Sequence, residues 1–365
     1  MSGLGFGMED DVPHDPRGSR RAAGVGLLAV LVVLVAIVVL IGSAIGGIFG
    51  SGADYSGEGS GSVLVVVHPG DTASTIADTL AKAGVVKSAS AFTSAADANP
   101  ASRGIQPGTY KLHKHMKASL ALALMLKPSA LVSYSVPIPE GFTAADIVAR
   151  VAQDTPITAA DLDAALNAAR TNPASIGLPA WASGHVEGFL FPATYQVEPG
   201  ETATQLLTAM VTRFDQAATA VHLSSAASQI GLSEYDVITL ASIVQREGRL
   251  IQDFPKIAEV FMNRLHDQMR LDSDATLYYV LGPNHGPLTG ADLALDTPYN
   301  TRKYTGLPPT PINSPGQDAI EAVLHHATGP YLYFVTIDQA GHTAFATNYN
   351  DFRRLVAESQ ANGVS

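Results

Sequence analysis

From Ala22 to Ala53 the chain carries no charged residue, and Leu27 to Ile41 is almost wholly Leu, Val, Ile and Ala. Such a run is long enough for the ~20 residues that cross a bilayer as a helix. The pattern predicts a transmembrane helix over 22–44, preceded by a tail at 1–21. Arg17, Arg20 and Arg21 stand before the run, and no Lys or Arg follows until Lys82. The positive-inside rule then puts the tail in the cytoplasm and everything after about residue 50 outside. The small pair Ser43-Ala44 leaves a cleaved signal peptide as the alternative. The apolar run exceeds the usual signal core and the arginines lie far from Met1, which favours an uncleaved anchor.

The remainder of a 365-residue chain with 46% hydrophobic content and 22 prolines has material for more than one core. There is no cysteine, so disulfides, thiolate zinc sites and a cysteine nucleophile are all excluded. The net charge of −11 and the lack of a long basic stretch do not fit a nucleic-acid binder. Lys111, Lys114 and Lys117, interleaved with His113 and His115, read as a solvated strand end.

Residues 45–62 are rich in Gly and Ser and read as a flexible linker. Val63 to Val67 is a predicted strand, Pro69-Gly70 a turn, and Thr72 to Ala83 a helix with Ile76, Ala77 and Leu80 on one face. A strand starting near Gln106 and a helix over Ser119–Leu126 complete an α+β module at 63–128. A connecting α+β segment follows at 129–200, with a strand near Val132–Pro139 and helices over Thr143–Val151 and Thr158–Ala169. The last region, 201–361, is mainly helical to Arg270, then loop-rich and aromatic before a strand over Leu332–Ile337.

In that region Leu240 to Gly248 reads as the end of an amphipathic helix, N-capped at Ser233 and stopped by Gly248. At about 100° per residue, Glu247 shares the apolar face with Leu240, Ile243 and Val244. Partial burial and the negative end of the helix dipole both favour the protonated form of such an acid. A carboxylic acid kept neutral can donate a proton. Snorkelling from the last turn is the structural alternative.

Several motifs together resemble the endolytic murein transglycosylases of the MltG (YceG-like) type. His68-Pro69-Gly70-Asp71-Thr72 looks like the opening of a LysM-like unit, and Ile138-Pro139-Glu140-Gly141-Phe142-Thr143 and Glu187-Gly188-Phe189-Leu190-Phe191-Pro192 look like family signatures. More specific is the ordered series Phe261-Met262-Asn263-Arg264-Leu265, Ser273-Asp274-Ala275-Thr276, Tyr299-Asn300-Thr301, Gly306-Leu307-Pro308-Pro309 and Gly341-His342-Thr343. The chain departs from the pattern at Ala193, where many members carry an acid, and at Gln245, where some carry a second glutamate.

The resemblance implies a single membrane anchor, a LysM-like α+β subdomain at 63–128 and a catalytic region at 201–361. It implies an enzyme that cuts the MurNAc-β-1,4-GlcNAc bond of nascent peptidoglycan strands and leaves 1,6-anhydroMurNAc ends, with Glu247 as the acid. It also implies peptidoglycan synthases as neighbours; the residues themselves offer no cluster with metal-ligand spacing, and no cofactor or metal is expected. Tyr299, Asn300, Thr301, Asp274 and His342 are the expected substrate-binding residues; the alternative is loop packing for Tyr299, Asn300 and Thr301, an auxiliary or structural acid for Asp274, and a buried hydrogen-bonded histidine for His342. Glu187 is a possible second acid, with a structural turn as the safer reading. No His-Glu-x-x-His, phosphate loop or Gly-x-Ser-x-Gly elbow occurs, and Ser242 inside the helix reads as packing. A non-catalytic cell-wall scaffold is the rival function, and a hydrolase using water is the third.

Overall fold

Strands β1 (Ser60–Val67) and β2 (Gly108–Lys114) pair antiparallel from Val63 opposite Leu112 to Val67 opposite Gly108. The computed structural model describes residues 52–282 and 285–364. The helix expected over 22–44 lies outside these residues; among the described ones, no helix is long and apolar enough to cross a membrane. The chain is α+β and divides into two units, the first ending at Val132 and the second starting at Ser133.

In the first unit the two-stranded sheet is covered by α1 (Ala73–Lys82), α2 (Ala89–Asp97) and α3 (Ala118–Met125). The His-Pro-Gly-Asp turn has a local cause. Asp71 accepts the His68 N–H at 2.7 Å, and Gly70 adopts φ +88°, which a side chain would strain. Thr72 then caps α1. Although β1 reads as one apolar run, Val63, Val65 and Val67 pack on the core while Leu64 and Val66 point outward. The strand begins at Ser60, earlier than Val63, and part of the Gly/Ser-rich stretch before it is hydrogen-bonded. The Asp54 carboxylate takes the Ala118 N–H at 3.0 Å and so caps α3, whose own N-cap residue, Lys117, supplies no side-chain bond. Helix α2 has weaker periodicity and escaped the sequence reading; Ser88 caps it.

The second unit opens with β3 (Tyr134–Pro137), which pairs with β4 (Thr194–Val197), Tyr134 opposite Val197. Between them run α4 (Ala144–Asp154) and α5 (Ala159–Thr171), and after them α6 (Ala203–Ala220), α7 (Leu223–Gln229) and α8 (Glu234–Glu247). Then come α9 (Phe254–His266), α10 (Asp274–Leu281), the one-turn α11 (Gly290–Leu293) and α12 (Gln317–Leu324). The hairpin of β5 (Tyr333–Thr336) and β6 (Thr343–Ala346) and the terminal α13 (Tyr349–Ala361) close the unit. Helix α8 is its axis, packed by α7, α9, α10 and α12. Every residue from Val237 to Val244 is buried, so α8 is enclosed on all sides there and is not the one-faced amphipathic helix its sequence suggests.

One core residue works against this packing. Glu259 on α9 is 2% exposed, and neither carboxylate oxygen has a hydrogen-bond partner among the described residues. Removing an unsatisfied buried acid relieves its desolvation cost, so Glu259→Met is expected to stabilise the protein by about 1–3 kcal/mol. Urea unfolding followed by circular dichroism checks this; a midpoint below that of the parent would contradict it.

Candidate active site

Helix α8 starts in a capping box between Ser233 and Asp236 and delivers Glu247 as its last residue. The next residue, Gly248, ends the helix in an extended conformation, so its φ does not require glycine. Close approach does: a Cβ there would sit 2.4 Å from the Phe254 ring. Glu247 is half-buried, and its Oε1 accepts a 2.5 Å hydrogen bond from the Ser273 hydroxyl. Burial pushes its pKa above the usual carboxylate range, and the Asp274 charge adds to that. The Ser273 hydroxyl, the Ala275 amide and Arg302 pull the other way. The result is an acid that holds its proton more tightly than a free carboxyl yet has donors ready to receive its ionised form.

The signature motifs form a frame around this helix end. Ser242 donates to Thr239 O and accepts the Ile312 N–H, while its carbonyl receives the Asn313 side chain. A hydroxyl so occupied is a brace for the 311–314 segment, not a nucleophile. Gln245 accepts the Gly316 N–H at 2.9 Å. Gly141 and Phe142 exchange backbone hydrogen bonds with Ser314, which ties the Ile-Pro-Glu-Gly-Phe-Thr motif to the same loop. On α9, Asn263 holds the carbonyls of Gly329 and Tyr331, and Arg264 holds those of Leu271 and Leu332.

The expected binding residues divide between the site and its scaffold. Thr301 accepts the Ser273 N–H at 3.1 Å and lies against Thr276, so it fixes the residue that holds Glu247. Asn300 is fully buried; its amide donates to Leu293 O and Leu295 O, and its oxygen accepts the Arg302 N–H. Asp274 pairs with Arg302 Nε at 2.5 Å beside Glu247. Tyr299 is half-buried and bonds Thr310 at 2.7 Å. His342 lies at the exposed tip of the β5–β6 hairpin, with Nδ1 held by Asp338 at 2.6 Å. Ser273 and Arg302 were not singled out as individual functional residues. Ser273 opens the Ser-Asp-Ala-Thr motif, whereas Arg302 only follows Tyr299-Asn300-Thr301, and neither residue type marks a site by itself.

Glu187 has its own setting. Its carboxylate caps α4 by accepting the Ala144 N–H at 3.0 Å and takes the Tyr279 hydroxyl at 3.2 Å. Burial lifts its pKa from 4.5 to about 7, opposed by those two bonds and aided by Asp146. A raised carboxyl pKa stabilises the fold fully below the unfolded value, and this contribution is lost as pH climbs to the folded value. Glu187→Gln cannot titrate, so from pH 4.5 to pH 8 its stability relative to the parent should rise by up to about 3 kcal/mol. Unfolding curves at the two pH values measure this; an unchanged difference would refute the shift.

The sequence model of the YceG-like family matches residues 65–358, and the chain belongs to that family. An endolytic murein transglycosylase of Streptococcus pneumoniae serotype 2 (strain D39 / NCTC 7466) is 31% identical over 322 residues, covering 81% of this chain and 58% of its own length. One of Bacillus subtilis (strain 168) is 30% identical over 284 residues, covering 75% of this chain and 78% of its own. The chain thus spans little more than half the length of the streptococcal relative. The crystal structure of a yceG-like protein of Listeria monocytogenes matches with a TM-score of 0.53 and 27% identity, over 81% of this chain and 99% of that one.

Proposed function

We propose that this chain is an endolytic peptidoglycan lytic transglycosylase in which Glu247 acts first as acid and then as base. The observation that carries the reading is the half-buried Glu247 carboxyl, raised in pKa and held by Ser273 at the end of the central helix. The names of the streptococcal and Bacillus relatives supply the reaction and the substrate.

Glu247 gives its proton to the glycosidic oxygen, GlcNAc O4, which joins MurNAc C1 to GlcNAc C4, as the C1–O4 bond breaks. The MurNAc C6 hydroxyl then attacks C1, its proton passes to the Glu247 carboxylate, and a C1–O6 bond closes the anhydro ring. Glu247 ends protonated and no water is consumed. The Ser273 hydroxyl, the Ala275 amide and Arg302 stabilise the carboxylate between the two transfers. Asp274 holds Arg302 in place, and Asn300 and Thr301 hold the loop. Tyr299 offers its ring, and His342 its Nε2 edge, to the saccharide. A transmembrane anchor at 22–44, with a cytoplasmic N-terminus, would keep the external site beside newly made strands and the synthases that extrude them.

The test is mass spectrometry of fragments released from nascent peptidoglycan by the full-length protein. Ends in 1,6-anhydroMurNAc support the reading. Reducing ends would make it a hydrolase. Intact glycan, in an assay where another lytic enzyme works, would favour a wall-binding scaffold.

A further inference from the structure

Glu187, Tyr279, Tyr299, Thr310, His185 and Ser183 line a cavity of about 430 Å³ in the second unit. These side chains come from four separate stretches of chain. Two larger cavities, about 610 and 690 Å³, lie against α5–α6 and α6–α7, and none of the residues around Glu247 lines them.

Resting on the lytic reading above, we propose that the 430 Å³ cavity is a sugar-ring subsite of the same glycan cleft, one or two rings from the bond at Glu247. Two elements connect the places. Helix α10 meets Glu247 through the Ala275 amide at its first turn and presents Tyr279 to the cavity. Four residues rise ~6 Å along the axis, so Tyr279 stands about one turn along α10 from that contact. The 299–301 segment does the same independently. Thr301 bonds Ser273, which holds Glu247, while Tyr299 lines the cavity.

The lining suits a pyranose. The Tyr279 and Tyr299 rings are half-buried with centroids 5.2 Å apart, inclined at 46°, and each offers an apolar ring face of the kind on which C–H faces of sugars rest. Around them stand groups that read hydroxyls. Glu187 accepts the Ala144 amide and the Tyr279 hydroxyl, with the Gly188 amide also bonded to it, and a carboxylate has about four acceptor sites, so one is left for a ligand. With its pKa near 7 it can also donate at neutral pH, so it can meet either a hydroxyl or an acetamido oxygen. Thr310 and Tyr299 hold each other's hydroxyls at 2.7 Å at the cavity wall. Arg170 at the rim bonds Asn167. Binding here, away from the reacting bond, would favour internal positions on a long strand over its ends.

The test is calorimetric titration of the full-length Glu247→Gln protein, which cannot turn over, with chito-oligosaccharides of two to six rings. Affinity is expected to increase with length, and Tyr299→Leu to weaken hexasaccharide binding at least about tenfold. Tyr279→Phe and Glu187→Gln, which preserve shape, should weaken the hexasaccharide in the same direction and cover the case in which Tyr299→Leu fails to fold. Equal hexasaccharide affinity in the folded variants and the parent, or no gain with length, would overturn the subsite. Product ends are read separately with active protein: anhydro ends alongside unaltered binding would remove the subsite alone, whereas their absence would remove the lytic reading.

Discussion

Glu247→Gln is expected to lower glycan cleavage by about a thousandfold or more while the fold and glycan binding persist, because in the proposed mechanism one carboxyl serves both proton transfers and each is worth roughly 10²–10⁴. Glutamine preserves the shape and leaves an oxygen for the Ser273 hydroxyl, which bonds Glu247 at 2.5 Å in the parent. The frame around Ser242 and Gln245 does not depend on the carboxyl. Initial rates of fragment release, together with a thermal melt, separate the loss of chemistry from loss of structure. A scaffold would show no difference in either, and a variant retaining a tenth of the rate would move the acid elsewhere.

The largest effect on stability is expected at Arg264, behind the segment that carries Ser273. Arg264 is 7% exposed, donates to the carbonyls of Leu332 at 2.7 Å and Leu271 at 2.8 Å, and lies over the Tyr333 ring. Asp272 stands 3.6 Å away. Arg264→Ala leaves those buried carbonyls unpaired and opens a cavity, and it should cost about 3–5 kcal/mol. For a unit of this size that lowers the melting midpoint by roughly 6–20 °C. Arg264→Lys keeps the charge but not the planar fork, so it should recover only part of the loss. A shift under two degrees in Arg264→Ala would show that these bonds contribute little. Because Leu271 leads directly into Ser273, the variant should also lose activity at temperatures where it remains folded.

What the sequence made legible was set by local chemistry. Glu247 stood out because an acid among Leu240, Ile243 and Val244 breaks a periodic pattern that any reader of helices can see. Turns and caps such as Gly70 and Thr72 carry their geometry in their residue types. The full enclosure of α8 was hidden because Thr239 and Ser242 look polar, yet both hydroxyls are satisfied within the helix and its neighbours. Asn300 invited a sugar-binding role by type, whereas its amide is spent on the carbonyls of its own loop. Pairing of β3 with β4 and assembly of the Glu187 cavity bring together residues far apart in the chain, and no local pattern encodes such meetings. The family motifs were recognisable as strings, but their physical reason, a hydrogen-bonded frame holding one helix end, appears only when Asn313, Gly316 and Ser273 are seen around it.

The most direct measurement is digestion of nascent peptidoglycan in ¹⁸O-enriched water by the full-length protein and by Glu247→Gln, with the new ends read by mass spectrometry. Intramolecular attack by the C6 hydroxyl predicts unlabelled 1,6-anhydro ends that vanish in the variant. One ¹⁸O at each new reducing end would contradict it and show that water, not the muramyl hydroxyl, closes the reaction.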